Sequence, residues 1–546
     1  MDLSHIDFTN LSEFTTERLQ LPLRFGGIGL SSLYIRRHLE YIGGISQGCR
    51  NLLDRTEQVT SADGTISVIT RKGCLAIQPV IDLFGLGFFN HDNSKPWETL
   101  LSHPDSALAR SLKNSWTALT IHTTALSVNG NPSVFDREVS AAGTDDTGAM
   151  LAPSVTTKLG QAHDQLLRQH VETLPKTQQE QLSFSQADSM SWQFLLAAPN
   201  KLTTIPNRLL PELFAQFLGI PSPNFRGGGF IGKTNPVPVN CYGNSVAARG
   251  DLPGVGFKYI HDVVRDTLAD LSRTAAFHTQ IEVTNHFREY IPAAVQALYE
   301  SNADAHCIRG DVRIANYPNS DQHVDQWTTA STHTTPALFE IKTIRMGTRY
   351  NHLGAHARAT DKRGGAVITE YRKNAYDIDK TLTPNDTRPT FNGPGAKGHF
   401  EQALDRHATG NVIPLVFGSF GETNQTFHKL ISLLGTVAAK TPYGMRLSPH
   451  PLRSGGGADT ILRQQFRRRF GVSVACAYAF VKLEREQFIG STADEARALA
   501  LGQQNRRWWN HDAEYPSTFR QSFNNTCFHT WLALRQSALS HNTRTM

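Results

Sequence analysis

The stretch Ala337-Leu338-Phe339-Glu340-Ile341-Lys342 decides how the rest of this chain is read. An apolar run is closed by Glu-Ile-Lys, and a second acid stands upstream in Arg309-Gly310-Asp311-Val312-Arg313-Ile314. In a strand, residues two apart face the same side, so Glu340 and Lys342 are expected to point together into one cleft. Ile341 then turns to the core, with its carbonyl free. Asp311 and Glu340 supply the hard oxygen that Mg²⁺ or Mn²⁺ prefers, with the Ile341 carbonyl as a further ligand, and Lys342 can orient or activate water. The chemistry such a set serves is hydrolysis of a phosphodiester, with Asp311, Glu340 and Lys342 as catalytic residues. The competing reading is a salt-bridged strand end. Context favours the first: an Asp-Val-x-Ile strand precedes the triplet and a Lys/Tyr helix follows it.

Working outward, Ile260 to Leu268 reads as an amphipathic helix, Thr279 to Thr284 and Asp311 to Ala315 as strands, and Arg358 to Leu382 as a helix. Asn411 to Phe417 reads as a short buried strand, and Thr426 to Ala439 as a strong helix. This order predicts an α/β sandwich around a central mixed sheet. Within Glu370-Tyr371-Arg372-Lys373-Asn374-Ala375-Tyr376, Arg372 and Lys373 lie one turn from Tyr376, which makes all three candidates to support the fold or touch phosphate. Arg309 is a further candidate, and Glu282 a third acid.

The half before this sandwich reads as helical. Ser31 to Ile45, much of 100 to 220, and Leu209 to Leu218 carry helical periodicity, while Gly26-Gly27-Ile28-Gly29 reads as a structural turn with no lysine at Walker spacing. Pro221 to Val239 is dense in Pro, Gly and Asn and reads as a linker. Beyond a Gly-rich hinge at Ser454 to Gly457, a basic helical segment carries Arg467-Arg468-Arg469 and Arg506-Arg507-Trp508-Trp509; these arginines are candidate nucleic-acid contacts. The expected division is 1–60, 61–225, 226–255, 256–446 and 447–546.

With 546 residues and 39% hydrophobic content the chain can bury several ordinary cores. The net charge of +6 and pI near 8.9 suit a polyanionic partner without requiring one. No apolar run is long enough to span a bilayer, and the acidic first twenty residues lack a signal core, so an intracellular protein is expected. The six cysteines form no C-x-x-C pair, and the 22 histidines form no H-E-x-x-H, so neither a disulfide framework nor a zinc site is expected. G-x-S-x-G and Walker A sequences are also absent.

The order of motifs resembles the C-terminal region of non-LTR retrotransposon proteins. Leu21-Pro-Leu-Arg-Phe-Gly-Gly-Ile-Gly-Leu30 is similar to their segment after the polymerase palm, and Trp192 to Pro223 to their helical linker. Cys241-Tyr242-Gly243 sits where many carry a zinc knuckle. Arg309-Gly-Asp-Val312, Phe339-Glu-Ile-Lys342, Tyr371-Arg372-Lys373 with Tyr376, and Ile413 to Gly421 resemble the restriction-enzyme-like endonuclease that follows. The resemblance implies a PD-(D/E)xK core cutting DNA with Mg²⁺, a nuclear location and DNA, with element RNA, as partners. This chain departs from the pattern in three places. Only Cys241 of the knuckle is present, glycine replaces the usual proline before Asp311, and a polar insertion from Asn316 to Thr335 lengthens the path to Glu340. No Tyr-x-Asp-Asp occurs, so reverse transcription is not expected. The rival from another class is a remnant that binds nucleic acid, or only persists structurally, without turnover.

Overall fold

The computed structural model describes residues 10–30, 32–41, 44, 56–60, 62, 66–70, 107–126, 155–200, 202–225, 228–254, 256–283, 287–291, 293, 296–297, 310–318, 334–346, 350, 358–382, 397–448, 450–451 and 457–502. The chain divides between Thr177 and Gln178 into two compact units. In the first, α1 (Glu13–Gln20) begins at Ser12, whose hydroxyl accepts the Thr15 N–H at 3.1 Å. The Arg18 side chain is fully buried and donates to the Gly26 carbonyl at 2.8 Å, so the glycine turn wraps a guanidinium. A Cβ on Gly27 would strike the Leu21 and Arg18 carbonyls, which is why the turn needs glycine there. The antiparallel pair β1 (Thr56–Thr60) and β2 (Ile66–Thr70) straddles the expected 60/61 division. Two longer helices, α2 (Ala107–Leu126) and α3 (Val155–Thr173), also lie in this unit, residues 33–41 are helical as expected, and Arg24 reaches Asp164 of α3 at 2.8 Å.

The second unit is a mixed α/β structure. It opens with α4 (Gln178–Gln186), the single turn α5 (Gln193–Leu196) and α6 (Leu210–Leu218). The segment expected as a linker packs as a corner instead: β3 (Phe230–Ile231) pairs with β4 (Val237–Pro238), and α7 (Asn244–Ala248) follows. Phe225, Ile231, Val239, Val246 and Leu252 share a core with Phe488 and Ala500, so apolar residues spaced among the Gly and Pro outweigh the flexible composition.

The centre is a four-stranded sheet in the order β5 (Thr279–Val283), β6 (Gly310–Pro318), β7 (Thr334–Thr343), β8 (Ile413–Phe417). The first two pairings are antiparallel and β7–β8 is parallel. The two ends of the expected polar insertion, 316–318 and 334–335, are strand, and 319–333 lies outside the described residues. Val312, Ile314, Ala337, Phe339, Ile341, Leu415 and Phe417 face a core shared with α8 (Phe257–Thr274), α11 (Gln425–Ala439) and α13 (Ala458–Arg485). The alternate residue Leu338 packs against Tyr371, Ala375 and Ile378 of α9 (Ala359–Leu382) and Phe400 of α10 (His399–Asp405). Helices thus cover both faces, and β7 reads as a continuous apolar run because it is buried on both. The remaining helices are α12 (Pro442–Leu447) and α14 (Ala493–Gly502). Among the described residues no helix is long and apolar enough to cross a membrane.

Gly310 begins β6, and a Cβ there would overlap the fully buried Leu338 side chain. Gly310→Ala is therefore expected to destabilise by about 1–3 kcal/mol, as overpacking does. Chemical denaturation checks this, and a midpoint unchanged from wild type refutes it.

Candidate active site

Pairing of Val312 with Phe339 sets Asp311 across from Glu340, and the β6–β7 ladder gives way there. The next N–H on β7, that of Ile341, donates to Asp311 Oδ2 at 2.6 Å instead of to a strand partner. Lys342 returns to Glu340, Nζ to Oε1, at 2.5 Å. Ile341 is fully buried in the opposite core, as the period-two reading of the strand requires. Two carboxylates and one ammonium group thus meet where two neighbouring strands separate.

Two groups that sequence reasoning did not place in the site join this set. His261, in the second turn of α8, brings Nε2 to 3.0 Å from Asp311 Oδ1. Its trace in the sequence is one imidazole beside the apolar Ile260 stripe, which gives no hint of a partner far along the chain. Tyr371 is the tyrosine of α9 that turns inward, and its hydroxyl is buried with no hydrogen-bond partner. Glu340 Oε2 is likewise buried without a partner.

Burial, and after it the neighbouring Asp311 charge, push the Glu340 carboxyl up to about 7, against the pull of Lys342 and His261. Burial disfavours the His261 imidazolium, yet the Asp311 and Asp262 carboxylates outweigh it and hold that pKa above the ordinary histidine range. Burial, then Glu340 and Asp311, push the Tyr371 hydroxyl well above the usual tyrosine range.

The other expected residues lie elsewhere or have other partners. Arg372 donates to the Gly410 carbonyl at 3.0 Å and stands 3.5 Å from Asp405. Lys373 is exposed on α9 and Tyr376 is half-buried one turn on. Glu282 is not a third acid of the site, because it is exposed and ion-paired with Arg265. Arg469 is buried against Asp270 at 3.0 Å, and Arg467 and Arg468 are half-buried with unpartnered Nε atoms, so the arginine run is no open basic face. Burial, and then Arg463, lower the Arg467 pKa. Arg309, Arg506 and Arg507 lie outside the described residues.

Among the described residues no group of three or more His, Cys, Asp and Glu side chains is arranged to hold a metal ion. Asp311 and Glu340 remain as a pair, and the pair fits a hard cation: Oε2 of Glu340 is orphaned, and burial with the neighbouring Asp311 charge raises its pKa. Comparison with protein-family models, with curated proteins and with solved structures finds no match for this chain.

Proposed function

We propose that the second unit is a metal-dependent DNA endonuclease built on a PD-(D/E)xK-type sheet, derived from a retrotransposon protein and working in the nucleus. One observation carries the reading: Asp311 and Glu340 stand opposite one another at the end of the β6–β7 ladder, with Lys342 bonded to Glu340. Asp311 and Glu340 would hold Mg²⁺ or Mn²⁺, with the Ile341 carbonyl beside them. The cation, when bound, neutralises charge that develops on the phosphate and lowers the pKa of water. Lys342, already at the carboxylates, orients the attacking water and balances charge. His261 holds Asp311 from the side of α8. Buried Leu338 on one face of the sheet and buried Ile341 on the other exclude water beneath the carboxylates.

Nicking of supercoiled plasmid by the full chain tests this. Relaxation should require Mg²⁺ or Mn²⁺ and stop with chelator. Lys342→Ala should lower the rate by about 10²-fold or more, the usual worth of a positioned proton-handling group. Equal rates for variant and wild type would remove Lys342 from the mechanism, and salt-sensitive DNA binding with no cleavage in either metal would favour the inactive remnant.

A further inference from the structure

Beside the cleft lies a second group of cations that the catalytic reading does not use. Arg345, three residues past Lys342, is exposed and lays its guanidinium over the Phe257 ring at 4.7 Å. Phe257, the ring under Arg345, opens α8 one turn before His261, about 6 Å along the helix axis from the residue that touches Asp311. Lys258, exposed in the same first turn, lies three residues from His261 and shares its side of the helix. Neither Arg345 nor Lys258 makes an ion pair or a side-chain hydrogen bond with any described residue.

The surroundings sharpen this excess of charge. Arg485 is buried, donates Nη1 to the Val246, Ala247 and Arg249 carbonyls, and would bring Nη2 within 2.5 Å of a Cβ on Gly256, the residue that starts α8. Burial, and after it the Arg345 charge, lower the Arg485 pKa to about 10, so the two guanidiniums feel one another. Asp251, on the adjoining loop, is already taken by Arg249 at 2.7 Å and by the N–H groups of Lys233 and Thr234 at 3.0 Å. The Gly256 start of α8 has no side-chain cap, and the helix dipole adds positive potential there.

We propose that Arg345 and Lys258 form a phosphate-binding flank that grips the DNA strand next to the Asp311–Glu340–Lys342 cleft. Arginine suits a phosphate through two parallel N–H groups and lysine as a mobile point charge. Stacking on Phe257 fixes the guanidinium in advance, which spares entropy on binding. The proposal rests on the endonuclease reading for its substrate, but it concerns binding and is measured without catalysis.

The experiment is fluorescence anisotropy of a labelled duplex with the full chain in chelator, titrated with salt. Each phosphate contact contributes about 0.9 to the slope of log affinity against log salt. The Arg345→Ala/Lys258→Ala variant should reduce that slope by about 1.8 and weaken binding at least tenfold at ~0.1 M salt. Arg345→Gln alone, which keeps a planar side chain over Phe257, should lose about half of the slope change. Arg497→Ala, on exposed α14, should match wild type. Wild-type slope and affinity in both flank variants would overturn the proposal, as would salt-independent binding by wild type. Plasmid nicking that persists with an unaltered slope would sink the flank alone. Altered slope in a chain that never nicks would sink the nuclease reading alone.

Discussion

Glu340→Gln should abolish metal-dependent nicking and, at the same time, make the chain more resistant to heat above neutral pH. The two outcomes share a cause. Burial and the adjacent Asp311 hold the Glu340 carboxyl near 7 in the fold, whereas the unfolded chain releases that proton near the ordinary glutamate value of about 4.3. A raised acid favours the folded state most when it is protonated. Wild-type stability is therefore expected to fall as pH rises from roughly 4.5 through 7, by on the order of 3 kcal/mol from this group alone. Glutamine removes that pH dependence, but also the oxygen charge a cation needs. Differential scanning calorimetry between pH 5 and 8 reads the first effect, and plasmid relaxation the second. Mg²⁺ should stabilise wild type more at pH 8 than at pH 6, because bound cation and proton compete for one carboxylate, and should leave Glu340→Gln unmoved. A variant whose melting temperature falls in parallel with wild type across this range would show that Glu340 is not held as described.

Lys482→Ala should be among the most damaging single substitutions in the second unit. Lys482 Nζ reaches Glu212 Oε1 at 2.8 Å, with the two side chains 4% and 0% exposed, and also donates to the Tyr242 carbonyl at 3.1 Å. The Ser222 hydroxyl donates to the other Glu212 oxygen. Removing the ammonium group leaves a carboxylate with no water and no counter-charge, a loss of about 3–5 kcal/mol. In a unit of this size that corresponds to a fall in melting temperature of about 5 °C. The pair Lys482→Met with Glu212→Leu should regain most of the loss, since a desolvated ion pair is often replaceable by apolar packing. Urea denaturation of the two variants separates these cases: a single-variant loss under ~1 kcal/mol would mean that water reaches Glu212.

Where the sequence was legible, local pattern and long-range packing agreed. The apolar run Ala337 to Phe339 closed by Glu340-Ile341-Lys342 marked both the strand and the shared face of Glu340 and Lys342, and the apolar run Ile413 to Phe417 became the strand parallel to it. The helix read at Thr426 to Ala439 spans Gln425–Ala439, and Thr279 to Thr284 became Thr279–Val283. Asp311 and Glu340 could be paired from sequence because adjacent strands carry them. His261 could not, since its place depends on where α8 crosses the sheet edge, and no local spacing encodes that. Arg469 misled for a related reason: a run of arginines advertises charge, but only the fold shows that Asp270 answers it. Composition misled at Pro221 to Val239, where Ile231 and Val239 find apolar partners near Phe488, far downstream.

The sheet's main core is closed by Leu462, Phe466, Phe470, Val474 and Val481 of α13, residues that lie well after the last strand. Until a ribosome has delivered that helix, the core over Phe339, Ile341 and Phe417 holds α8 and α11 but lacks the apolar residues of α13. The core beneath Asp311 and Glu340 is thus completed late in synthesis. An early stop codon between β8 and α13 would yield an aggregation-prone polypeptide, not a smaller folded unit.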